Sequence, residues 1–233
     1  MLVALCYNKV MNRQILHTEN LIKEITTARL SSYNTGNNLS DEALLENYIY
    51  NIKVAEAFYP ALALLEVTLR NKLCFAIESS IKSNWLLAEL ENQQILDDKE
   101  YSKLLESANK LKNTNKKITN DRLIAEMTFG FWIHLFTKSY KPKLWDKKGF
   151  FEKVFPNYSR KNNIRSIAPI QNDLMTILRL RNRIFHHEII INGKISVESY
   201  YQIIMNLLYL MSADMSKLLQ NTSRLEQLIK QKP

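Results

Sequence analysis

Only four glycines and five prolines interrupt this 233-residue chain, and that scarcity limits the folds open to it. All-β architectures reverse direction at frequent tight turns and spend Gly and Pro on them. Here long runs rich in Leu, Ile, Lys and Glu separate the few breakers, which predicts an all-α fold. The length is enough to bury a core without disulfide staples, and the 46% apolar content fits a globular chain. No repeat, low-complexity segment or domain boundary is visible. A single helical domain over 1–233 is expected, with its core over about 40–230 and an N-terminal helical extension over 1–39.

Apolar spacing and capping residues place the helices. A first amphipathic helix is read over 10–30, with Ile15, Leu21, Ile22 and Ile25 on its apolar side. The Ser-, Asn- and Gly-rich stretch 31–38 is a loop. Ser40 is a candidate N-cap for a helix to Phe58, with Asp41 and Glu42 in its first turn. Pro60 suits the first turn of the next helix, about 60–83, which is apolar almost all round and predicts a central, buried element. Shorter helices are read near 85–90 and 97–112, and a longer one from Thr119 or Asn120 to Lys138, stopped by Lys141-Pro142. Pro169 opens a helix over about 170–187 with Leu174, Ile177, Leu178, Ile184 and, more loosely, Leu180 toward the core. Asn192-Gly193 is a turn signal, so 189–195 is either a short β-hairpin or a loop. Ser196 caps a last helix to about 230.

Two cysteines, Cys6 and Cys74, make no disulfide framework and no CxxC, which predicts a reducing, cytoplasmic setting. The opening Met1–Cys6 stretch is short and has no preceding basic residues, so no signal peptide is expected. No apolar run reaches the length needed to span a membrane. The net charge is +9, yet Lys103 to Arg165 alone holds 15 Lys/Arg against 5 Asp/Glu. A basic stripe of this kind attracts polyanions. Lys141, Lys143, Lys147, Lys148, Arg160, Lys161 and Arg165 are its candidate RNA contacts. Phe131, Trp132, Tyr140, Trp145 and Tyr158 interleave with the basic residues as they do in single-strand binders.

The densest chemistry is Arg181-Asn182-Arg183-Ile184-Phe185-His186-His187-Glu188. Residues four apart share a helix face, so Asn182 can orient His186 and Arg183 can sit beside His187. Arg181 and His186 are five apart, about 140° around an ideal helix. They meet only if the helix relaxes or the arginine wraps around it. Arg binds phosphate bidentately and stays charged. His exchanges protons near neutral pH. In RNA the 2′-OH supplies the nucleophile, so this set suits phosphodiester cleavage without a metal or other cofactor. Two other readings stand beside it: a metal site, for which His-His-Glu at one helix end offers too few ligands, and a solvated C-terminal turn favoured by the helix dipole. Glu66, Arg70 and Asn71 form a second polar cluster on the apolar 60–83 helix. It is either a local ion pair or a support for Arg181 or His187. His17 is read as a surface residue and His134 as a core one. Phe129, Phe131 and Trp132 are read as core rather than base-stacking groups.

Several segments resemble the Abi-like abortive-infection family of the HEPN superfamily. Arg181 to His186 matches its Arg-x4–6-His signature, in the Arg-Asn form. Leu178 to Glu188 is similar to the family's "lRNRiaHHE", with Ile189 where a proline often follows. Ala28–Tyr33 resembles "RLstY", Tyr48–Asn51 resembles "Y-x-W-N" with Tyr50 in place of Trp, Leu65–Asn71 resembles "lEvalRN", and Ala125–Trp132 resembles "aeltFGFW". The resemblance covers about 28–190 and implies a HEPN-like helical bundle that pairs as a homodimer. It also implies metal-independent endoribonuclease activity in phage defence or as a toxin, with RNA as substrate and a neutralising protein or small RNA as a further partner. Arg181 and His186 would be the catalytic pair and Asn182 the orienting residue. Arg183, His187 and Glu188 would support them. A catalytically silent RNA-binding or toxin-partner module on the same fold is the alternative.

Overall fold

The computed structural model describes residues 18–34, 39–158 and 167–231. Its helices are α1 Thr18–Ile25, α2 Thr27–Ser31, α3 Asp41–Ala57, α4 Tyr59–Ser80, α5 Trp85–Glu91, α6 Asp98–Asn113, α7 Asn120–Glu126, α8 Phe129–His134, α9 Phe150–Val154, α10 Ile167–Phe185, α11 Val197–Met211, α12 Ala213–Thr222 and α13 Leu225–Ile229. A 3-10 turn at Lys138–Tyr140 and a π-helical turn at Lys141–Trp145 connect α8 to α9. The fold is all-α, and no strand occurs among the described residues. None of the described helices is long and apolar enough to cross a membrane.

The central element is α4. Leu65, Leu69, Leu73 and Ile77, each four residues on from the last, are fully buried. α11 lies along it, α9 and α12 dock on it, and α8 sits between it and α10. Its burial is less complete than its composition predicts, since Val67 and Phe75 face solvent. Phe58 keeps helical dihedrals between α3 and α4, and the junction falls where Pro60 removes a backbone donor. A buried aromatic layer of Trp85, Phe131, Trp132, Phe136, Trp145, Phe150 and Phe155 closes one side, with Phe131 and Trp132 edge to face at 5.0 Å. Phe129 is buried as well, so the FGFW segment is core, as its pattern suggests. The interleaved aromatics are therefore not a stacking platform. Phe131, Trp132, Tyr140 and Trp145 are inside, and Tyr158 is half-buried with its ring edge-on to Phe151.

Three expected helices are broken, each by a residue that competes for backbone hydrogen bonds. Thr26 takes φ 75° and caps α2 through Arg29 N–H, splitting the first helix, whose residues 10–17, Ile15 and His17 among them, lie outside the described part. Thr128 accepts from Phe131 N–H and restarts the chain as α8, so the 120–138 helix becomes two. Ser212 caps Met215 N–H and divides the last helix, which breaks again at Ser223. Hydroxyls of this kind favour caps over helix interiors. The caps expected at Ser40, Thr119 and Ser196 do form.

The segment 189–195 is a loop, not a hairpin. The backbone groups a ladder would use are taken by side chains: Asn51 holds the Glu188 carbonyl and the Ile190 N–H, and Arg183 holds the Ile189 carbonyl. His134 is half-buried and bonded to Asp97 at 3.1 Å, rather than being a closed core residue.

Glu89 shows how loops are fixed here. Its buried carboxylate accepts from the backbone N–H groups of Gln94, Ile95 and Leu96. Glu89→Ala strands these donors in a buried site. A loss of about 2–3 kcal/mol in urea-unfolding stability is expected.

Candidate active site

The buried stripe of α10 runs through Ile170, Leu174, Ile177 and Leu180 and then stops. In the next turn only Ile184 still packs against the core, half-buried. Arg181 and Arg183 are half-buried, while Asn182, Phe185, His186, His187 and Glu188 are exposed. The chemistry-bearing residues thus sit where the helix emerges.

The helix ends in a Schellman arrangement. His187 N–H donates to the Ile184 carbonyl at 3.1 Å and Glu188 N–H to the Arg183 carbonyl at 2.8 Å. His187 takes the left-handed conformation, φ 57°. Glycine usually fills that position, and histidine is among the side chains that tolerate it. The reversal carries both imidazoles on one turn.

Arg181 lies over the Phe185 ring, its guanidinium carbon 4.4 Å from the centroid, and its Nη1 donates to Asn182 Oδ1 at 3.4 Å. The side chain therefore leans toward the C-terminal end of the helix, over the residue one turn on. The Asn182 amide, which spacing aims at His186, is engaged with Arg181 here. The His186 backbone N–H is bonded to the Asn182 carbonyl at 2.9 Å.

Arg183 reaches into the loop that follows the helix. Its Nε is 3.5 Å from Glu188 Oε2, its Nη2 donates to the Ile189 carbonyl, and a Cβ on Gly193 would stand 3.3 Å from its Nη1. Arg183 and Glu188 thus help to fasten the loop.

Glu66 connects the second cluster to the first. Burial pushes its carboxyl above the ordinary carboxylate range, while the charges of Arg181 and Arg70 and the Phe129 N–H pull it back down. Glu66 thus lies within electrostatic reach of Arg181 as well as Arg70 and accepts from the Phe129 N–H where α8 begins. Arg70 Nε in turn donates to Asn71 Oδ1 at 3.4 Å.

The basic segment is tied down elsewhere. Lys153 donates to Ser80 Oγ at 2.8 Å, pinning α9 to the end of α4, 14 residues beyond Glu66 or about 20 Å along a helix. Lys143 donates to the Ile95 carbonyl at 2.8 Å and so serves the fold. Lys141, Lys147 and Lys148 are exposed. Arg160, Lys161 and Arg165 lie outside the described residues. Sequence reasoning missed two residues of the site. Phe185 supports Arg181, and Asn51 is buried at 4% exposure on the apolar face of α3. An amide among the buried Tyr50, Val54 and Ala57 is the signal that marks it.

Among the described residues no group of three His, Cys, Asp or Glu side chains is placed to hold a metal ion. No protein-family model, no curated protein and no solved structure matches this chain.

Proposed function

We propose that this chain is a metal-independent endoribonuclease of the HEPN type, an Abi-like protein acting in the cytoplasm in phage defence or as a toxin. The observation that carries this reading is the helix end at 181–188, where a guanidinium leans on Phe185 in the last turn of α10 and two exposed imidazoles follow on the turn that closes it. In the proposed reaction His186 takes the proton of the RNA 2′-OH or protonates the departing 5′-oxygen. Arg181 holds the phosphate and stabilises the charge that builds on it. Asn182 fixes Arg181, and Glu66 and Arg70 steady it from α4. His187 stands beside the pair. Phosphorus–oxygen bond formation to the 2′-oxygen and loss of the 5′-oxygen leave a 2′,3′-cyclic phosphate and a 5′-hydroxyl. A homodimer would bring two such turns to one cleft, and a neutralising protein or small RNA would restrain the activity.

The test is incubation of the pure protein with labelled single-stranded RNA in EDTA. Cleavage by the native protein, absent in Arg181→Ala and His186→Ala, is expected. The exposed Lys141, Lys147 and Lys148 favour a second reading, an RNA-binding module without turnover, which salt-sensitive binding with no cleavage would support.

The lysines separate in the same assay. Replacing Lys147 and Lys148 by Ala should weaken RNA binding and reduce the slope of log affinity against log salt by about 0.7 for each phosphate that is no longer neutralised. Lys143→Ala should leave the slope unchanged and cost about 1 kcal/mol of unfolding stability, because its ammonium serves the Ile95 carbonyl.

A further inference from the structure

We infer that Asn51 is a positioning residue for the histidine pair, acting through the backbone at 188–190; the inference rests on the ribonuclease reading. Asn51 lies on α3, far in sequence from the motif. Its Nδ2 donates to the Glu188 carbonyl at 3.3 Å and its Oδ1 accepts from the Ile190 N–H at 2.8 Å. One amide thus grips the chain on both sides of residue 189, much as a neighbouring strand would. Arg183 takes the carbonyl between them.

This grip bears on the imidazoles because of what precedes it. The chain leaves α10 through His187 in the left-handed conformation. A side-chain-bearing residue holds such dihedrals when its surroundings over-determine them. The Schellman bonds fix the turn from the helix side, and Asn51 fixes it from the loop side. His186 and His187 are therefore anchored at both ends while their rings stay exposed.

The amide is itself held dry. The fully buried Tyr33 hydroxyl lies beside it, and the Tyr48 ring meets Tyr33 edge-on at 5.4 Å. Burial of Asn51 keeps water from competing for its two backbone bonds. Positioning of this kind acts on turnover rather than on RNA affinity, since the exposed lysines and Arg181 remain in place. A displacement of about 1 Å at reacting groups can cost on the order of 100-fold in rate.

The experiment compares the native protein with Asn51→Ala and Asn51→Asp. Asn51→Asp keeps the acceptor for Ile190 and removes the donor to Glu188. Three readouts are taken: single-turnover RNA cleavage, RNA affinity, and the histidine ring signals and Ile190 amide exchange by NMR. The expected result for Asn51→Ala is a cleavage loss on the order of 100-fold with affinity unchanged, faster Ile190 exchange and shifted His186 and His187 signals. Asn51→Asp should retain Ile190 protection and fall between the two. Unchanged cleavage and unchanged ring signals in a folded Asn51→Ala protein would overturn the inference. So would variants that both fail to fold, which would make Asn51 a general fold residue. If the native protein does not cleave RNA, the nuclease reading fails on its own, and the ring signals and Ile190 exchange still decide whether Asn51 sets the histidine turn.

Discussion

His186→Ala should reduce RNA cleavage by about 10²–10⁴-fold, the range expected when a general acid or base is removed, and should leave the folded protein intact. The ring is exposed on the turn that closes α10, so its removal opens no cavity. Surface changes of this type shift stability by about 0.5 kcal/mol or less. The backbone bond from His186 N–H to the Asn182 carbonyl survives the substitution. Circular dichroism and urea unfolding should overlay with those of the native chain, and RNA affinity should hold. An equal loss of stability and cleavage would instead mean that the imidazole supports the fold.

Arg181→Lys is the second large effect. It keeps the positive charge but replaces a planar fork with a point charge. The guanidinium rests on Phe185, donates to Asn182 and lies within electrostatic reach of Glu66. An ammonium reproduces the attraction to Glu66 but not the stacking or the paired donation to phosphate. Cleavage should fall by about 10²–10³-fold, the scale of a missing transition-state donor, with a smaller change in binding. Near-native cleavage by the lysine variant would show that only charge is needed and that the Phe185 and Asn182 contacts do not serve catalysis.

The all-α architecture is legible in the sequence because so few residues are free to turn the chain. The buried α4 and the core stripe of α10 follow from apolar spacing, since burial of one face repeats at the helical period. Boundaries are less legible. Thr128, Ser212 and Thr26 each break a pattern that spacing alone extends, because a single hydroxyl or a positive φ outweighs helix propensity at a junction. The Asn192-Gly193 signal suggests a hairpin, yet the ladder groups are claimed by Asn51 and Arg183, a contact no local pattern reveals.

The candidate site divides in the same way. Arg181 and Asn182 are bonded neighbours at the end of α10 and His186 follows on the turn that closes it, which the sequence order shows, whereas the lean of Arg181 onto Phe185 depends on packing. That Glu66 feels the charge of Arg181 is half legible: a carboxylate on an apolar face needs a partner, but which partner depends on packing. Arg183, which spacing puts beside His187, is tied by geometry to Glu188 and the Ile189 carbonyl. Lys143 is misread for the same reason, since an inward reach to Ile95 depends on the turn at Lys141–Trp145.

The nature of the product ends tests the central claim most directly. Mass spectrometry of a short RNA cut in EDTA should show a 2′,3′-cyclic phosphate on one fragment and a 5′-hydroxyl on the other. The same RNA with every 2′-OH methylated should stay whole. Fragments ending in 3′-hydroxyl and 5′-phosphate, or cutting of the methylated RNA, would contradict 2′-OH attack assisted by His186 and Arg181.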